Sequence, residues 1–451
     1  MTRLAELLGI GVPIVLGPFG GLSSIELTAS VSAGGGLGSF GLYGYTPERI
    51  HDTIARLRDA TARPIAVNLW WPRGDEVAPA DVDLTPVLDA TAPLFAAAGA
   101  ARPDIPAAFL PAVADQLDAV FAARPDVLSL VYGVPDAVTV ARAREGGIRL
   151  VGTATSVAEA VALEDAGVDA VVATGMEAAG HRVSFLRDPA ASLVGTFALV
   201  PQVVDALSVP VIAAGGIADR RGVAAAFALG AEGVQVGTAF LRTRQSAATA
   251  AHRAAIAAAA DTETVLTRAM SGRWARGIPN RAVREIEAAG AIAPFPAQNW
   301  LTGVFRAAAA AAGEGELLSL WAGQAAGLAR ARRRRGGARR VARGAARGVR
   351  LGRVPDPEAV AVRGLGGLGH LDALDARQRR TVLRPGDEGL DGRRRSGDVR
   401  LDRAVPTVAH PAARADAFGL GAEGPPETDA LHVTADGDLD GCHGIHCDLT
   451  R

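Results

Sequence analysis

Short, nearly continuous apolar runs alternate with longer stretches of helical periodicity along the first 240 residues of the chain. The runs are VPIVLG (12–17), GLGSFG (36–41), PIAVNLWW (64–71), DVLSLVYG (126–133), IRLVGTAT (148–155), VDAVVATG (168–175), VPVIAAGGI (209–217) and EGVQVGTAF (232–240). Between them, TPERIHDTIARLRDA opens with Thr46 as a helix N-cap and Pro47 in the first turn. Helices are likewise predicted over SSIELTASVSAGG, 110–123, PDAVTVARAREGG, SVAEAVALEDAG, 195–207 and DRRGVAAAFALGA. Strands that are apolar on both faces belong to parallel sheets, and parallel pairing requires long crossovers, usually helical. Eight such units favour a closed (β/α)8 TIM barrel over residues 1–242, since an open doubly wound sheet usually has fewer strands.

The pattern changes twice after the barrel. Residues 243–330, with SGRWARGIPNRAVREIEAAG and LWAGQAAGLARA, read as an additional helical cap packing on the barrel. From 331 to 451 the chain becomes a low-complexity Arg/Gly-rich tail in which apolar residues lose all spacing, which predicts disorder. The tail composition also looks like a GC-rich gene read in the wrong frame, so a frameshift or displaced stop is one expectation for it.

Composition narrows the chemistry. Hydrophobic residues are 49% and aromatics only 4%, so the core is aliphatic. The net charge of -1 gives no reason to expect nucleic acid or an acidic membrane as a partner. All 47 basic side chains are arginine, which excludes Schiff-base lysine chemistry and a phosphate-loop lysine. Cys442 and Cys447 lie within the last ten residues, so the body has no disulfide framework, as suits a cytoplasmic protein. GCHGIHC (441–447) has metal-ligand residue types but no flanking structure, and no metal site is predicted there. The N-terminus lacks a signal sequence, and Pro201, Asp205 and Pro210 break the most apolar stretch, so no membrane span is expected.

A barrel enzyme works at the C-terminal ends of its strands, where a phosphate commonly docks after strands 7 and 8. Gly215 and Gly216 end the seventh run, with Asp219 placed to cap the next helix; Gly237 and Thr238 end the eighth. Together these turns form a candidate anion cradle built from backbone N–H groups. His181, in GMEAAGHR (175–182) after the sixth run, faces the same end and is the candidate functional imidazole. The other histidines before residue 331, His51 and His252, read as solvated surface residues. Asn68, a polar side chain in an apolar run, is a candidate ligand contact.

PIVLGPFGGLSS, GGLGSFG, PIAVNLWWP, GMEAAGHR, VPVIAAGGIADRRGVAAAFALGAEGVQVGTAFL, SGRWARGIPNR, FPAQN and SLWAGQAAGLAR occur in that order across residues 4–330. In this the chain resembles the nitronate monooxygenase family, formerly called 2-nitropropane dioxygenases. The resemblance implies a barrel holding FMN non-covalently, with its phosphate on the loops of strands 7 and 8. It implies FMN contacts at Asn68, Gly215, Gly216, Gln235, Val236, Gly237 and Thr238, and a flavin-facing loop at Gly17, Pro18, Phe19 and Gly20. It further implies a cofactor role for Thr174, Ala179 and Gly180, and His181 as the catalytic histidine. Thr174, Ala179 and Phe19 stand where the family pattern has Gln, Gly and Met. The implied reaction converts an alkyl nitronate or nitroalkane and dioxygen to a carbonyl compound and nitrite. His181, near its ordinary pKa, would hydrogen-bond the nitro oxygens or take a proton from a neutral nitroalkane. A homodimer is a further expectation of the resemblance. Sister enzymes on this scaffold reduce quinones or enoyl thioesters with NAD(P)H, and a non-catalytic flavin-binding barrel is a third reading.

Overall fold

In the computed structural model, which describes residues 2–329, every apolar run forms a strand and every periodic stretch a helix. The chain begins α1 (Arg3–Leu7), β1 (Ile14–Leu16), α2 (Ile25–Ala33), β2 (Gly38–Gly41), α3 (Pro47–Ala60), β3 (Ile65–Trp70). The third crossover holds two helices, α4 (Thr85–Ala97) and α5 (Val113–Ala123), before β4 (Val127–Val131). Then come α6 (Ala137–Gly146), β5 (Arg149–Ala154), α7 (Val157–Ala166), β6 (Ala170–Thr174) and the two-residue β7 (Gly180–His181). The barrel ends with α8 (Thr196–Ala206), β8 (Val211–Ala214), α9 (Arg220–Ala228), β9 (Gly233–Val236) and the short α10 (Thr238–Leu241). Thr46 and Asp219 cap α3 and α9 as expected, accepting from the N–H of Arg49 and Arg221. Expectations about the tail, including the Cys442–Cys447 motif and the frameshift, lie outside the described residues.

The sheet order is β1-β9-β8-β6-β5-β4-β3-β2, with every pair parallel. A parallel bridge between Val15 and Leu37 brings β1 to β2 and completes the ring. Period-two alternation then gives each strand an inner and an outer face. Outer residues such as Val67, Leu69, Leu130, Val171 and Val234 pack in the large core under the helices. Inner residues Val15, Leu37, Ala66, Val127, Val151, Val172 and Ile212 form a separate core with Leu4 and Leu8 at the two ends of α1. The barrel is thus filled at one end by α1. Two residues further along the inner faces, Gly17, Asn68, Ser129, Thr153, Thr174, Ala214 and Gln235 open onto a cavity at the other end.

Residues 243–329 contain α11 (Ala250–Ala258), β10 (Val265–Thr267), β11 (Ala275–Gly277), α12 (Arg281–Ala289) and α13 (Ala297–Ala312). The strand pair is a departure from the expected all-helical character. β11 pairs antiparallel with both β10 and β7, setting Ala275 opposite His181 and Arg276 opposite Gly180. Ile286, Leu301 and Phe305 from these helices join the same large core as the barrel's outer face. His252 is a second correction. It is not on a solvated surface but 1% exposed, with Nε2 3.0 Å from the Trp321 carbonyl. Its small-residue surroundings in AATAAHRAAIAAAA carry no polar pattern, so only tertiary packing reveals its burial.

Candidate active site

The cavity at the C-terminal ends of the strands measures about 430 Å³. Gly17, Pro18, Phe19, Gly20, Asn68, Thr174, Ala179, Gly180, His181, Gly215, Gly216, Gln235, Gly237 and Thr238 all line it. Val236 does not. Its side chain is fully buried on the outer face of β9, and its carbonyl accepts from the Gly17 N–H at 2.8 Å. The alternation that points Gln235 inward turns the Val236 side chain toward the helices.

Two glycine turns shape one wall. Gly215 and Gly216 have φ of 106° and 69°, a left-handed pair that side-chain-bearing residues rarely adopt. Gly17 lies so close to β9 that a Cβ there would come 3.2 Å from Gly237 Cα. The N–H groups of Gly216 and Gly237 meet no acceptor among the described residues, so they are available to an anion. Asn68 is 3% exposed and donates Nδ2 to the carbonyl and hydroxyl of Ser129, at 3.1 and 2.9 Å. This arrangement leaves its Oδ1 as the acceptor presented to the cavity.

His181 is held by a dense set of contacts. Its Nε2 is 2.8 Å from Ser271 Oγ. That hydroxyl donates to the Arg273 carbonyl at 3.1 Å and accepts from the Arg273 N–H at 3.3 Å. Either atom of the Nε2–Oγ pair can be the donor, according to the imidazole tautomer. Trp70 packs edge-on against the imidazole at 4.8 Å, and Trp321 lies 5.4 Å away. Burial, then the charges of Arg273 and Arg306, push its pKa down from 6.5 to about 3. The expectation of an imidazole near its ordinary pKa is thereby corrected: His181 is neutral at neutral pH.

The loop that carries His181 is tied down by buried guanidinium groups. Arg182, 1% exposed, donates to the carbonyls of Gly175, Thr174 and Ser192. Arg276 donates from Nε to the Met176 carbonyl at 2.8 Å. The Glu177 carboxylate accepts from the N–H and hydroxyl of Thr196, which couples the loop to the start of α8. Burial lowers the Arg182 pKa to about 10, and it stays charged at neutral pH.

Several cavity residues were not singled out from sequence. Tyr43 and Trp70 pack at 4.2 Å in the cavity wall. Asn299 and Arg306 come from α13, and Trp321 from the segment after it. Ser271 and Asn299 fall inside SGRWARG and FPAQN, so motif membership was the available signal. Nothing local marks Arg306, one of 47 arginines.

The nitronate monooxygenase family pattern matches residues 1–333. A Staphylococcus aureus protein (strain MRSA252) named probable nitronate monooxygenase is 40% identical over 330 residues, which cover 73% of this chain and 92% of that one. The solved nitroalkane oxidase from Streptomyces ansochromogenes is 36% identical with a TM-score of 0.65, covering 72% of this chain and 93% of its own. FabK from Thermotoga maritima is 31% identical with a TM-score of 0.57, covering 73% of this chain and 90% of its own. Eight-stranded barrel, ordered motifs and near-complete coverage of these relatives agree, and the chain belongs to the nitronate monooxygenase family of oxidoreductases.

Proposed function

We propose that the cavity binds FMN and oxidises alkyl nitronates with dioxygen to carbonyl compounds and nitrite. The observation that carries this reading is the neutral His181 on the wall of a cavity that also contains both glycine turns. The residues present fit an FMN. The free N–H groups of Gly216 and Gly237 suit a phosphate, and the Asn68 Oδ1 suits a ring N–H. Gly17 and Gly237 both line the cavity without a side chain, so their backbone is open to a flat ring. Bound FMN would supply the electron acceptor and the site of reaction with dioxygen.

The protein's own part is binding and orientation. The low pKa of His181 makes it a weak base toward carbon acids. A preformed nitronate has already lost the proton that such a base would need to remove. The site therefore favours nitronates over neutral nitroalkanes. Trp70 and Trp321 flank the imidazole, while Ser271 Oγ holds its Nε2 at 2.8 Å.

The test is an absorbance spectrum of the purified protein followed by turnover. A flavin band, oxygen consumption with propionate 3-nitronate, and nitrite release without NADH are the expected results. Flavin bleached by NADH without oxygen, and no nitronate turnover, would instead assign a reductase.

A further inference from the structure

Like the exposed Arg49, Arg306 on α13 lines the cavity. Its Nη1 donates to Ser319 Oγ at 2.9 Å, and its Nη2 to both the carbonyl and Oδ1 of Asn299, each at 2.9 Å. Its Nε is buried and has no partner. Arg273 nearby is ion-paired with Asp75 and Glu76, whereas no carboxylate of the described residues lies within 4 Å of Arg306. The acid on the cavity wall, Glu177, is already engaged by Thr196. Burying a cation without a counter-ion costs several kcal/mol. A guanidinium kept in that state on a cavity wall is prepared for an anion that arrives with the ligand.

A second donor stands beside it. Asn299 accepts from Arg306 at Oδ1, so its Nδ2 faces Tyr43 and donates to the Tyr43 Oη at 3.1 Å. The Tyr43 oxygen is therefore an acceptor in that bond, and its own O–H is left to donate. Burial pushes the Tyr43 pKa up to about 12, so the phenol keeps its proton. Tyr43 and His181 pack against the same Trp70 ring, at 4.2 and 4.8 Å. The cavity thus holds two donors, Arg306 and Tyr43, joined through Asn299, with Tyr43 and His181 packed on the same indole.

We propose that Arg306 and the Tyr43 hydroxyl form an oxyanion corner that takes the two nitro oxygens of an anionic nitronate. The proposal rests on the reading of the cavity as a nitronate site. It makes Arg306 a specificity-determining residue, because a neutral nitroalkane forfeits the charge attraction that a nitronate gains.

Nitrate, a planar nitrogen oxyanion, is the probe. It is titrated into the flavin-loaded enzyme, with the dissociation constant read from the change in flavin absorbance. Arg306→Met should weaken nitrate by about 10- to 100-fold, the range for losing a hydrogen bond to a charged group. Arg306→Lys should recover part of that loss, and Tyr43→Phe should weaken nitrate by a few-fold. The nitronate KM should rise in parallel, by a larger factor than kcat falls. Nitrate that does not bind the parent enzyme overturns the corner, as does equal binding to parent and Arg306→Met. So does a folded, flavin-loaded Arg306→Lys that recovers nothing. If Arg306→Met loses flavin or melts early, the Arg306→Lys and Tyr43→Phe titrations decide. Nitrate bound through Arg306 in an enzyme that turns over no nitronate would sustain the anion corner and sink the catalytic reading instead.

Discussion

Ser271 Oγ and His181 Nε2 are 2.8 Å apart although 90 positions separate them in sequence. The bond forms because β11 pairs with β7 and brings the segment before it against the imidazole. It holds the imidazole in place on the cavity wall. Ser271→Ala removes that hydrogen bond. Turnover of nitronates should fall by about tenfold, equivalent to one lost hydrogen bond of about 1 kcal/mol or slightly more, with flavin content retained. Steady-state kinetics beside a flavin-to-protein ratio measures this, and unchanged kcat/KM would remove Ser271 from the positioning of His181.

The depressed pKa of His181 has a pH signature in stability. Below pH 6.5 the unfolded chain takes up a proton at this histidine that the folded chain refuses until about pH 3. The unfolded state binds more protons in that window, so stability is fully present above pH 6.5 and is lost as the pH falls toward 3. His252 is shifted down by burial as well and adds in the same direction. Denaturant midpoints of the flavin-free protein from pH 8 to 4 should fall, and less steeply in His181→Gln. Equal slopes for the two proteins would contradict the buried neutral imidazole.

Arg182 is a lever on the whole His181 loop. Its guanidinium donates to three backbone carbonyls; Arg182→Met removes that donor from all three, and of them Gly175 keeps the Ala178 N–H. The expected cost is about 1–3 kcal/mol for each carbonyl left unsatisfied, some of it recovered by water. Unfolding midpoints report the loss. Nitronate turnover should drop together with stability, because the same carbonyls position the residue before it. A variant as stable as the parent would mean that the three bonds contribute nothing measurable.

Gly216 tests the anion cradle. Its φ of 69° and its free N–H both depend on the absence of a side chain. Gly216→Val should weaken FMN by at least tenfold, since a β-branched residue at positive φ costs about 1–3 kcal/mol. Equilibrium dialysis with FMN gives the answer, and an undiminished affinity would move the phosphate elsewhere.

The described barrel, its cap and its cavity all lie within residues 2–329. A chain ended after residue 335 should therefore keep the melting temperature, the flavin content and the turnover of the full chain. A truncated protein that melts earlier or loses FMN would assign the C-terminal quarter a structural role.

Much of this protein was legible in one dimension because its dominant signals are local. Eight apolar runs separated by helical periodicity specify a parallel barrel, since burial of both strand faces and the length of the crossovers are properties of each segment alone. The glycine turns at 215–216 and 237 and the isolated His181 are local signals as well, and all of them line the cavity. What the sequence could not determine arises from contacts between distant segments. His252 was buried by the Trp321 segment. The His181 pKa fell because residues 90 and more positions away desolvate the ring and place Arg273 and Arg306 near it. Arg306 carries no mark in the sequence. Its missing counter-ion is a property of its neighbours in space, and only the packing of α13 against the mouth of the barrel makes a lone charge on a cavity wall into a site.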